Sequence, residues 1–549
     1  MRRPRTSSGS TPTRPCTSSA GRTARSSPVT ELLLRGGAVH TFDDDRTVAE
    51  AVLFRDGHVA AVGDTETVEA TATDPRIVDL DGRVVLPGFN DAHTHLLSVG
   101  IDRLETDLAG ADDRAEALSM LRENATATEP GEWVLGYNFD ETTWPDDDGH
   151  LTRTDLDAVS EEHPVAAMRV DGHAAAVNGP AVDRVDLDGV ERDVKRDDSG
   201  EPTGVLVEDA AGRVKQATYP RGEKARRALA AATERAHELG VTSVQNMSGL
   251  TAPQEFGSPI HAAFFGAWRD DELGLRVTFY VHSGKAESLS DLEIASGFGD
   301  DWLRIGGLKT FSDGSLGART GKISGTYVDD PDNDGTMVTT ESELSELFRT
   351  AARADQQIAT HALGDVAIDT VLDCYEAVLD DYRVPDPRLR IEHVELATDA
   401  AIDRMAELGI VASMQPNFLQ WAGKGGIYET VIGSEARGGN NRFRSVRDAG
   451  VPLAFGSDTM PIGPLHGIHH AVNAPHDTQR LSVDEAIAAY TRDAAYAEFT
   501  EAEKGTLEPG KLADAVVLGA DPFAEPESIA DIDVDLTVVD GEIVHEDPG

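Results

Sequence analysis

Two histidines one residue apart, His93 and His95, directly follow a short apolar run and a Pro-Gly pair. The run at 84–86 contains β-branched residues and predicts a buried strand. Side chains at positions i and i+2 of a strand point to the same face, so the two imidazoles would face one point. Neutral imidazole is a common ligand for zinc, nickel and iron, which makes a metal site one interpretation. The spacing alone also fits two histidines on a solvent-exposed face.

The elements that would position these histidines follow a regular alternation between residues 89 and 499. Apolar strand-like segments alternate with amphipathic segments, for which we predict helices over 221–239, 258–272, 341–355, 366–379, 399–408 and 442–449. Counting the first strand, eight βα units are present, which predicts an α/β fold of the (β/α)8 TIM-barrel type. A doubly wound sheet shares the alternation, but polar residues at several strand ends favour a closed barrel.

In a barrel of this kind the active site lies where strands end and βα loops begin. Besides the two histidines, the predicted strand ends carry five further polar side chains: Lys309, His361, Glu392, His393 and Asp458. Each has an ordinary alternative, because a histidine can be a hydrogen-bonded core residue, a lysine can form an ion pair and an aspartate can cap a helix. Their occurrence on successive strand ends favours one shared site. Glu392 and also Asp365 are candidate acceptors for the second N–H of a ligating imidazole, or else surface or capping acids.

The segments outside the barrel pattern suggest three further units. Residues 30–88 and 500–549 consist of short strands with Gly-containing turns, and each set is too small to bury a core, so we predict one composite β-sandwich rather than two modules. Residues 109–219 exceed one βα connection and predict an inserted cap subdomain after the first barrel strand. Residues 1–28 are basic and rich in Ser, Thr and Pro, which predicts a disordered tail or an extension foreign to the native protein.

Composition excludes several classes of partner. The 549 residues include 98 acidic and 49 basic side chains, a net charge of −49 that repels nucleic acid and anionic membranes. Dispersed acidity with few lysines favours a halophilic protein over an ordinary acidic cytosolic one. Two distant cysteines, Cys16 and Cys374, exclude a disulfide framework and fit a reducing cytoplasm. No apolar run is long enough to span a membrane. A small-molecule substrate is expected, and the sequence leaves the choice between a monomer and a homodimer open.

Eight motifs spread over residues 30–545 resemble one family: PGFNDAHTHLL, GHAAAVN, LKTFSDGSLGART, HALGD, RIEHVEL, SMQPN, GSD and LEPGKLADAVVL. Together they resemble the third amidohydrolase family of the amidohydrolase superfamily, which includes YtcJ-like proteins and N-substituted formamide deformylases. The resemblance implies a metal-dependent hydrolase, with zinc as the expected cofactor. It implies that His93, His95 and Asp458 hold one ion and that His361 and His393 hold a second. Lys309 would bridge the two as a carboxylated lysine, and without carboxylation the site would hold one ion.

The same resemblance implies the reaction, which is hydrolysis of a non-peptide C–N bond in an amide or N-formyl group. Metal-bound hydroxide would attack the carbonyl, with Asp458 as the general base. His173 would contact the substrate or the tetrahedral intermediate, unless it is a structural cap residue, and Asp313 and Arg319 are candidate substrate contacts beside a possible turn role. A cyclic-amide hydrolase or a deaminase on the same scaffold is the alternative. An alternative from another class is a catalytically silent regulatory or binding protein.

Overall fold

The computed structural model describes residues 31–144, 150–170, 174–248, 259–382, 386–434 and 437–547. Its centre is a barrel sheet in which each strand pairs in parallel with the next. The eight barrel strands are Phe89–Thr94, Val241–Met247, Arg276–His282, Leu303–Phe311, Gln357–Ala362, Arg390–His393, Val411–Met414 and Leu453–Phe455. Where strands one and eight meet, the N–H of Asp458 donates to the carbonyl of His93 at 2.7 Å. The predicted barrel is confirmed.

Helices follow the barrel strands as the apolar spacing predicts. They are Leu96–Leu104, Gly222–Glu238, Pro259–Arg269, Ala286–Asp291, Glu341–Arg353, Asp365–Asp381, Asp399–Leu408, Phe443–Asp448, Pro464–Val472, Val483–Ala489 and Arg492–Ala497. Helix Asp399–Leu408 has the predicted bounds because its ends carry strong local signals. The Thr398 side chain accepts from the N–H of Ala401 at 3.1 Å, and Gly409 ends the helix at a φ of 67°.

The two ends of the described chain join in a single eight-stranded sheet. Its N-terminal strands are Glu31–His40, Val48–Arg55, His58–Gly63, Arg76–Asp79 and Val84–Pro87, and its C-terminal strands are Ala515–Leu518, Val534–Val539 and Glu542–Glu546. The two parts meet where Val84–Pro87 pairs antiparallel with Ala515–Leu518.

The residues of strand Val84–Pro87 alternate between two apolar cores. Val85 packs into the core of the terminal sheet, while Val84 and Leu86 pack into the core of the barrel. This is the period-two pattern of a strand that is buried on both faces. Because Phe89–Thr94 follows almost at once, the terminal sheet anchors the strand that carries His93.

The insertion after the first barrel strand forms a six-stranded sheet of its own. In spatial order its strands are Val194–Arg196, Pro202–Val207, Ala174–Val177, Val165–Arg169, Val134–Phe139 and Thr106–Asp107. Helices Arg114–Ala127, Arg153–Asp157, Gly179–Val182 and Glu208–Thr218 accompany it. Alternate residues of strand Val165–Arg169 enter two different apolar clusters, so both faces of this sheet are covered. No helix in the described part of the chain is long and apolar enough to cross a bilayer.

Candidate metal centre

Three side chains from distant parts of the chain meet at the carboxyl-terminal rim of the barrel. His93 lies near the end of the first strand, His393 ends the sixth, and Asp458 follows the eighth. One ligand atom of each lies within 4.8 Å of the others, and both histidines are buried. His95 joins this group, because its Nε2 lies 3.1 Å from Oδ1 of Asp458, and the same oxygen lies 3.6 Å from Nε2 of His93. The structure therefore brings together four of the predicted metal ligands.

The second ring nitrogen of each of these histidines has a partner outside the group. Nδ1 of His93 lies 2.6 Å from a carboxylate oxygen of Glu392, and Nδ1 of His95 lies 2.9 Å from the carbonyl of Met247. Nδ1 of His393 lies 2.7 Å from Oε1 of Gln415. All three partner atoms accept hydrogen bonds, so Nδ1 is a protonated nitrogen in each ring. Nε2 is then the nitrogen that faces the group, as a metal ligand requires.

His361 stands beside this group in a different orientation. Its ring centroid lies 4.5 Å from that of His393, but its Nε2–H donates to the carbonyl of Gly314 at 2.9 Å. The nitrogen left without a proton is therefore Nδ1. Among the predicted histidine ligands in the described residues, His361 alone would bind a cation through that atom.

Lys309 is almost fully buried, with 1% of its surface exposed, and its Nζ has no hydrogen-bond partner among the described residues. The amine lies 4.6 Å from the ring centroid of Phe311. Burial lowers the pKa of Lys309 to about 8, although the negative charges of Glu392 and Asp458 oppose that shift. This buried amine has no described hydrogen-bond partner and lies beside four candidate ligands, so its nitrogen is available to react.

Burial sets the charge states of the ligand group. It lowers the pKa of His93 and His393, and it lowers the pKa of His361 to about 3, so these imidazoles are neutral at neutral pH. Burial alone would raise the pKa of Asp458, but its contacts with the neighbouring histidines, His95 first, hold the pKa below its ordinary value. Neutral imidazoles, an ionised carboxylate and an unpaired amine are a donor set that fits a divalent cation such as zinc.

The backbone is strained at two of these ligands. His393 has a φ of 75° and the following Val394 a φ of 53°, while Asp458 and Thr459 have φ values of 52° and 60°. Residues with side chains rarely occupy this left-handed region, at a cost of about 1–3 kcal/mol each, and functional sites are where such strain concentrates. The left-handed residues turn the chain at the end of strand six and shortly after the end of strand eight.

Two further predicted site residues, Asp313 and Arg319, lie in the loop after strand four. Asp313 accepts from the backbone N–H groups of Lys322, Leu363 and Gly364 at 2.8–3.1 Å, so its carboxylate joins the loops that follow strands four and five. Arg319 pairs with Asp329 in the first of these loops. Both roles in substrate binding stay predictions. His173 lies outside the described residues.

Of the two residues predicted to accept an imidazole proton, one does so and the other has a different partner. Glu392 accepts from His93, as expected for such a residue. Asp365 instead accepts from the N–H and hydroxyl of Ser324 at the start of its helix and contacts no histidine through a described hydrogen bond. The N-cap of this helix is Gly364 and no side chain caps it, so the Asp365 carboxylate joins the loop after strand four to the helix instead of capping it.

Two residues that position the site were missed in the sequence. Gln415 follows the seventh strand and accepts from His393, and the alternation of Ser413 and Gln415 at a strand end was the available signal. Asp91 accepts from the N–H of His93 at 3.1 Å and from the N–H and hydroxyl of Ser457 at 2.9 and 2.5 Å, which ties strand one to strand eight. Burial raises the pKa of Asp91 to about 7. The available signal for Asp91 was its position two residues before His93, which places both side chains on the same strand face.

One side of the rim is apolar. The ring of Phe418 lies parallel to that of His393, with centroids 6.3 Å apart, and Trp421 packs 5.2 Å from Phe418. Trp421 is 37% exposed and Met460 is 50% exposed, and the carbonyl of Met460 is held by Asn417 and Gln420 beside them. We call Phe418, Trp421 and Met460 the apolar shelf.

Comparison with known proteins relates most of this chain to one family. The model of the amidohydrolase family matches residues 76–545. The chain is 31% identical to the protein LONG AFTER FAR-RED 3 of Arabidopsis thaliana, covering 94% of this chain and 92% of the relative. It is 29% identical to the putative amidohydrolase YtcJ of Bacillus subtilis and 29% identical to the N-substituted formamide deformylase of Arthrobacter pascens, each over 94% of this chain and 99% of the relative. An uncharacterized metal-dependent hydrolase from Pyrococcus furiosus superposes with a TM-score of 0.77 at 28% identity, covering 90% of this chain and all of the other.

Proposed function

This chain belongs to the amidohydrolase family, and from that membership we propose that it hydrolyses a non-peptide C–N bond, in an amide or an N-formyl group, at the rim of its barrel. The observation that carries the proposal is the convergence of His93, His95, His393 and Asp458, with the three imidazole Nδ1 atoms engaged elsewhere. The N-formyl option is supported by the likeness to an N-substituted formamide deformylase along almost its whole length.

The proposed cofactor is zinc, as one or two ions. His93, His95 and Asp458 would hold one ion, and His361 and His393 would hold a second, with Lys309 between them if it is carboxylated. A divalent cation bound here would lower the pKa of water toward about 7 and polarise the scissile carbonyl. Because Lys309 has no hydrogen-bond partner among the described residues, its nitrogen is free to take up carbon dioxide.

Asp458 is the residue proposed to move the proton. Its carboxylate is ionised, and it is 14% exposed at the rim, where it can meet water and substrate. An ionised carboxylate in that position can accept a proton from the attacking water and later donate it to the leaving amine. The backbone N–H of Asp458 donates to the carbonyl of His93, and the carboxylate contacts Nε2 of His95, so the carboxylate stays on the side of the imidazoles.

The apolar shelf supports a substrate with a hydrophobic substituent next to the scissile bond. Phe418 is stacked on His393, so a group that lies against Trp421 and Met460 would stay close to the ligands. Aromatic and thioether side chains with exposed surface gain free energy when an apolar group covers them. The strongly negative charge of the protein supports a neutral or cationic small molecule as the substrate.

The test is a metal analysis followed by a matched substrate panel. Purified protein loaded with zinc should release formate and amine from N-substituted formamides, or a carboxylate and amine from the corresponding acetamides. With amino-substituted heterocycles and cyclic amides in the same panel, release of ammonia would instead identify a deaminase, and ring opening without a released amine would identify a cyclic-amide hydrolase. Metal-loaded protein that turns over no member of the panel would favour a catalytically silent regulatory or binding protein.

A further inference from the structure

We propose that Arg390 is a positioning residue of the metal centre, which holds His93 in place through Glu392 and through the carbonyl of Ala92. This inference rests on the proposed function, because His93 matters only if the site binds a cation. Arg390 opens the sixth barrel strand, two residues before Glu392, and its side chain is fully buried inside the barrel.

Two separate routes link the guanidinium to His93 through intervening groups. Nη2 of Arg390 donates to the carbonyl of Ala92, the residue before His93, at 2.9 Å. Nε donates to Oε1 of Glu392 at 2.9 Å, and Nη2 lies 3.3 Å from Oε2 of the same carboxylate. That Oε2 is the atom 2.6 Å from Nδ1 of His93. Both the backbone and the ring of His93 are therefore fixed by groups that Arg390 holds.

The remaining donors of Arg390 reach three other barrel strands. Nη1 donates to the side-chain oxygen of Gln245 and to the hydroxyl of Tyr280, the latter at 2.9 Å, and Nη2 donates to Oγ of Ser413 at 3.1 Å. With Ala92 and Glu392, the acceptors come from strands one, two, three, six and seven. The planar, five-donor shape of a guanidinium allows such a network, which the three donors of a lysine cannot reproduce.

This arrangement departs from the usual interior of such a barrel. Barrel interiors are filled mainly by branched apolar side chains, and a buried guanidinium is costly unless its hydrogen bonds are all made. Here a polar layer lies directly beneath the ligand group, with the Arg390–Glu392 pair at its centre. Residues that accept the second N–H of a ligating histidine commonly affect metal affinity by about 10–100-fold. Because Arg390 orients that acceptor, its removal should weaken metal binding.

A second buried arginine provides a matched control. Arg276 opens the third barrel strand and donates to both oxygens of Asp514, at 2.7 and 3.1 Å, with Asp540 at 3.3 Å. Its side chain is also almost fully buried. It links the barrel to the C-terminal strands and contacts none of the ligand group. Arg276→Met removes a comparable buried ion pair, so it reports the general cost of such a loss.

The experiment measures zinc affinity rather than turnover. Metal-free wild type, Arg390→Met, Arg390→Lys and Arg276→Met would each compete with a chromophoric chelator for zinc, and their cobalt(II) absorption spectra would be compared. We expect about 10–100-fold weaker binding and an altered cobalt spectrum for Arg390→Met, a smaller loss for Arg390→Lys, and wild-type values for Arg276→Met. Affinity within about twofold of wild type and an unchanged spectrum for folded Arg390→Met would overturn the inference.

If circular dichroism shows that Arg390→Met does not fold, Arg390→Lys is used to test the inference instead. In the Glu392→Gln background, Arg390→Lys should cost less zinc affinity than it does alone, because the two residues act on the same imidazole. Equal costs in both backgrounds would overturn the inference. A wild-type protein that binds no zinc would overturn the proposed function as well, whereas zinc binding that is indifferent to both Arg390 variants would overturn the inference alone.

Discussion

Nδ1 of His93 lies 2.6 Å from a carboxylate oxygen of Glu392, although 299 residues separate them in the chain. The two residues belong to the first and sixth barrel strands, which are not neighbours in the sheet, so the bond crosses the barrel. It fixes the ring of His93 and leaves Nε2 facing Asp458. A hydrogen bond of this kind sets which nitrogen can bind a cation before any cation arrives.

His95→Ala should give a folded protein without bound metal or activity. The His95 side chain is 32% exposed, so its removal leaves no buried cavity in the core. The substitution does remove a candidate ligand that lies 3.1 Å from Asp458. We expect zinc affinity and turnover to fall by more than about 100-fold, since loss of an outer partner alone costs about 10–100-fold. Metal content and amide hydrolysis would be measured beside His58→Ala, an exposed histidine of the terminal sheet. Full activity in metal-free His95→Ala would refute the metal-dependent mechanism.

Gln415→Leu should weaken metal binding while the fold is kept. The amide oxygen of Gln415 accepts the Nδ1 proton of His393 at 2.7 Å, and leucine has a similar size without an acceptor. We expect a loss of about 10–100-fold in zinc affinity, measured by chelator competition. Gln415→Glu, which keeps an acceptor, is the control and should retain tight binding. Equal affinity in the leucine and glutamate variants would show that this bond does not orient His393.

Carboxylation of Lys309 should increase with pH. Carbon dioxide reacts with the neutral amine, and burial lowers the pKa of Lys309 from 10.5 to about 8, so the neutral fraction rises as pH increases through that value. At pH 7.5 about a quarter of the amine would be neutral, against about 0.1% for an ordinary lysine. Metal-free protein with carbon-13 bicarbonate should show a carbamate NMR signal that grows from pH 6.5 to 8.5.

Two variants control that measurement. Lys309→Met should remove the carbamate signal, while Lys195→Met, which alters an exposed lysine of the inserted subdomain, should leave it unchanged. A signal that persists in Lys309→Met would assign the carbamate to another amine. Wild-type protein without any signal at pH 8.5 would leave Lys309 as an unmodified amine, and the site would then hold one ion.

The sequence predicts the positions of the ligands better than their contacts. His93, His393 and Asp458 were found because strand ends of a barrel meet at one rim, and that rule needs only the order of strands. The orientation of His361 toward Gly314 could not be found in this way, because it depends on the path of the loop after strand four. Asp365 shows the same limit, since the residue after a strand can face a ligand or begin a helix.

The burial and contacts of Arg390 could not be predicted from the sequence either, for a different reason. A charged residue at the start of a short apolar strand usually lies at the surface, where the strand enters the sheet. Its burial depends on acceptors from five strands, including Gln245 and Tyr280, that come together only in the closed barrel. Local patterns describe single strands, and this contact network is a property of the whole barrel.

Trp421→Ala should impair binding of substrates with large apolar substituents. Trp421 is 37% exposed on the apolar shelf, and its loss removes contact area without disturbing the ligands. We expect KM to rise about 10-fold, equivalent to about 1.4 kcal/mol, for an aromatic amide and to stay near wild type for a small one. Phe298→Ala, which alters an exposed ring in the loop before the fourth barrel strand, is the control. An equal KM change for both substrates would argue against the shelf as the binding surface.

Salt should stabilise the folded protein, because acidic side chains outnumber basic ones by two to one. Arg404 illustrates the imbalance, since it lies within 4 Å of Asp369, Asp373 and Glu376 and neutralises only one charge of the three. Raising KCl from 0.1 to 1 M shortens the screening length from about 10 to about 3 Å, which weakens repulsion among such clusters more than it weakens the few pairs. We expect Tm to rise by at least about 2 °C, the shift that about 1 kcal/mol produces in a large domain. Sucrose of equal osmolarity is the control, because it is excluded from the protein surface but does not screen charge. A Tm that rises with sucrose but not with KCl would argue against adaptation to high salt.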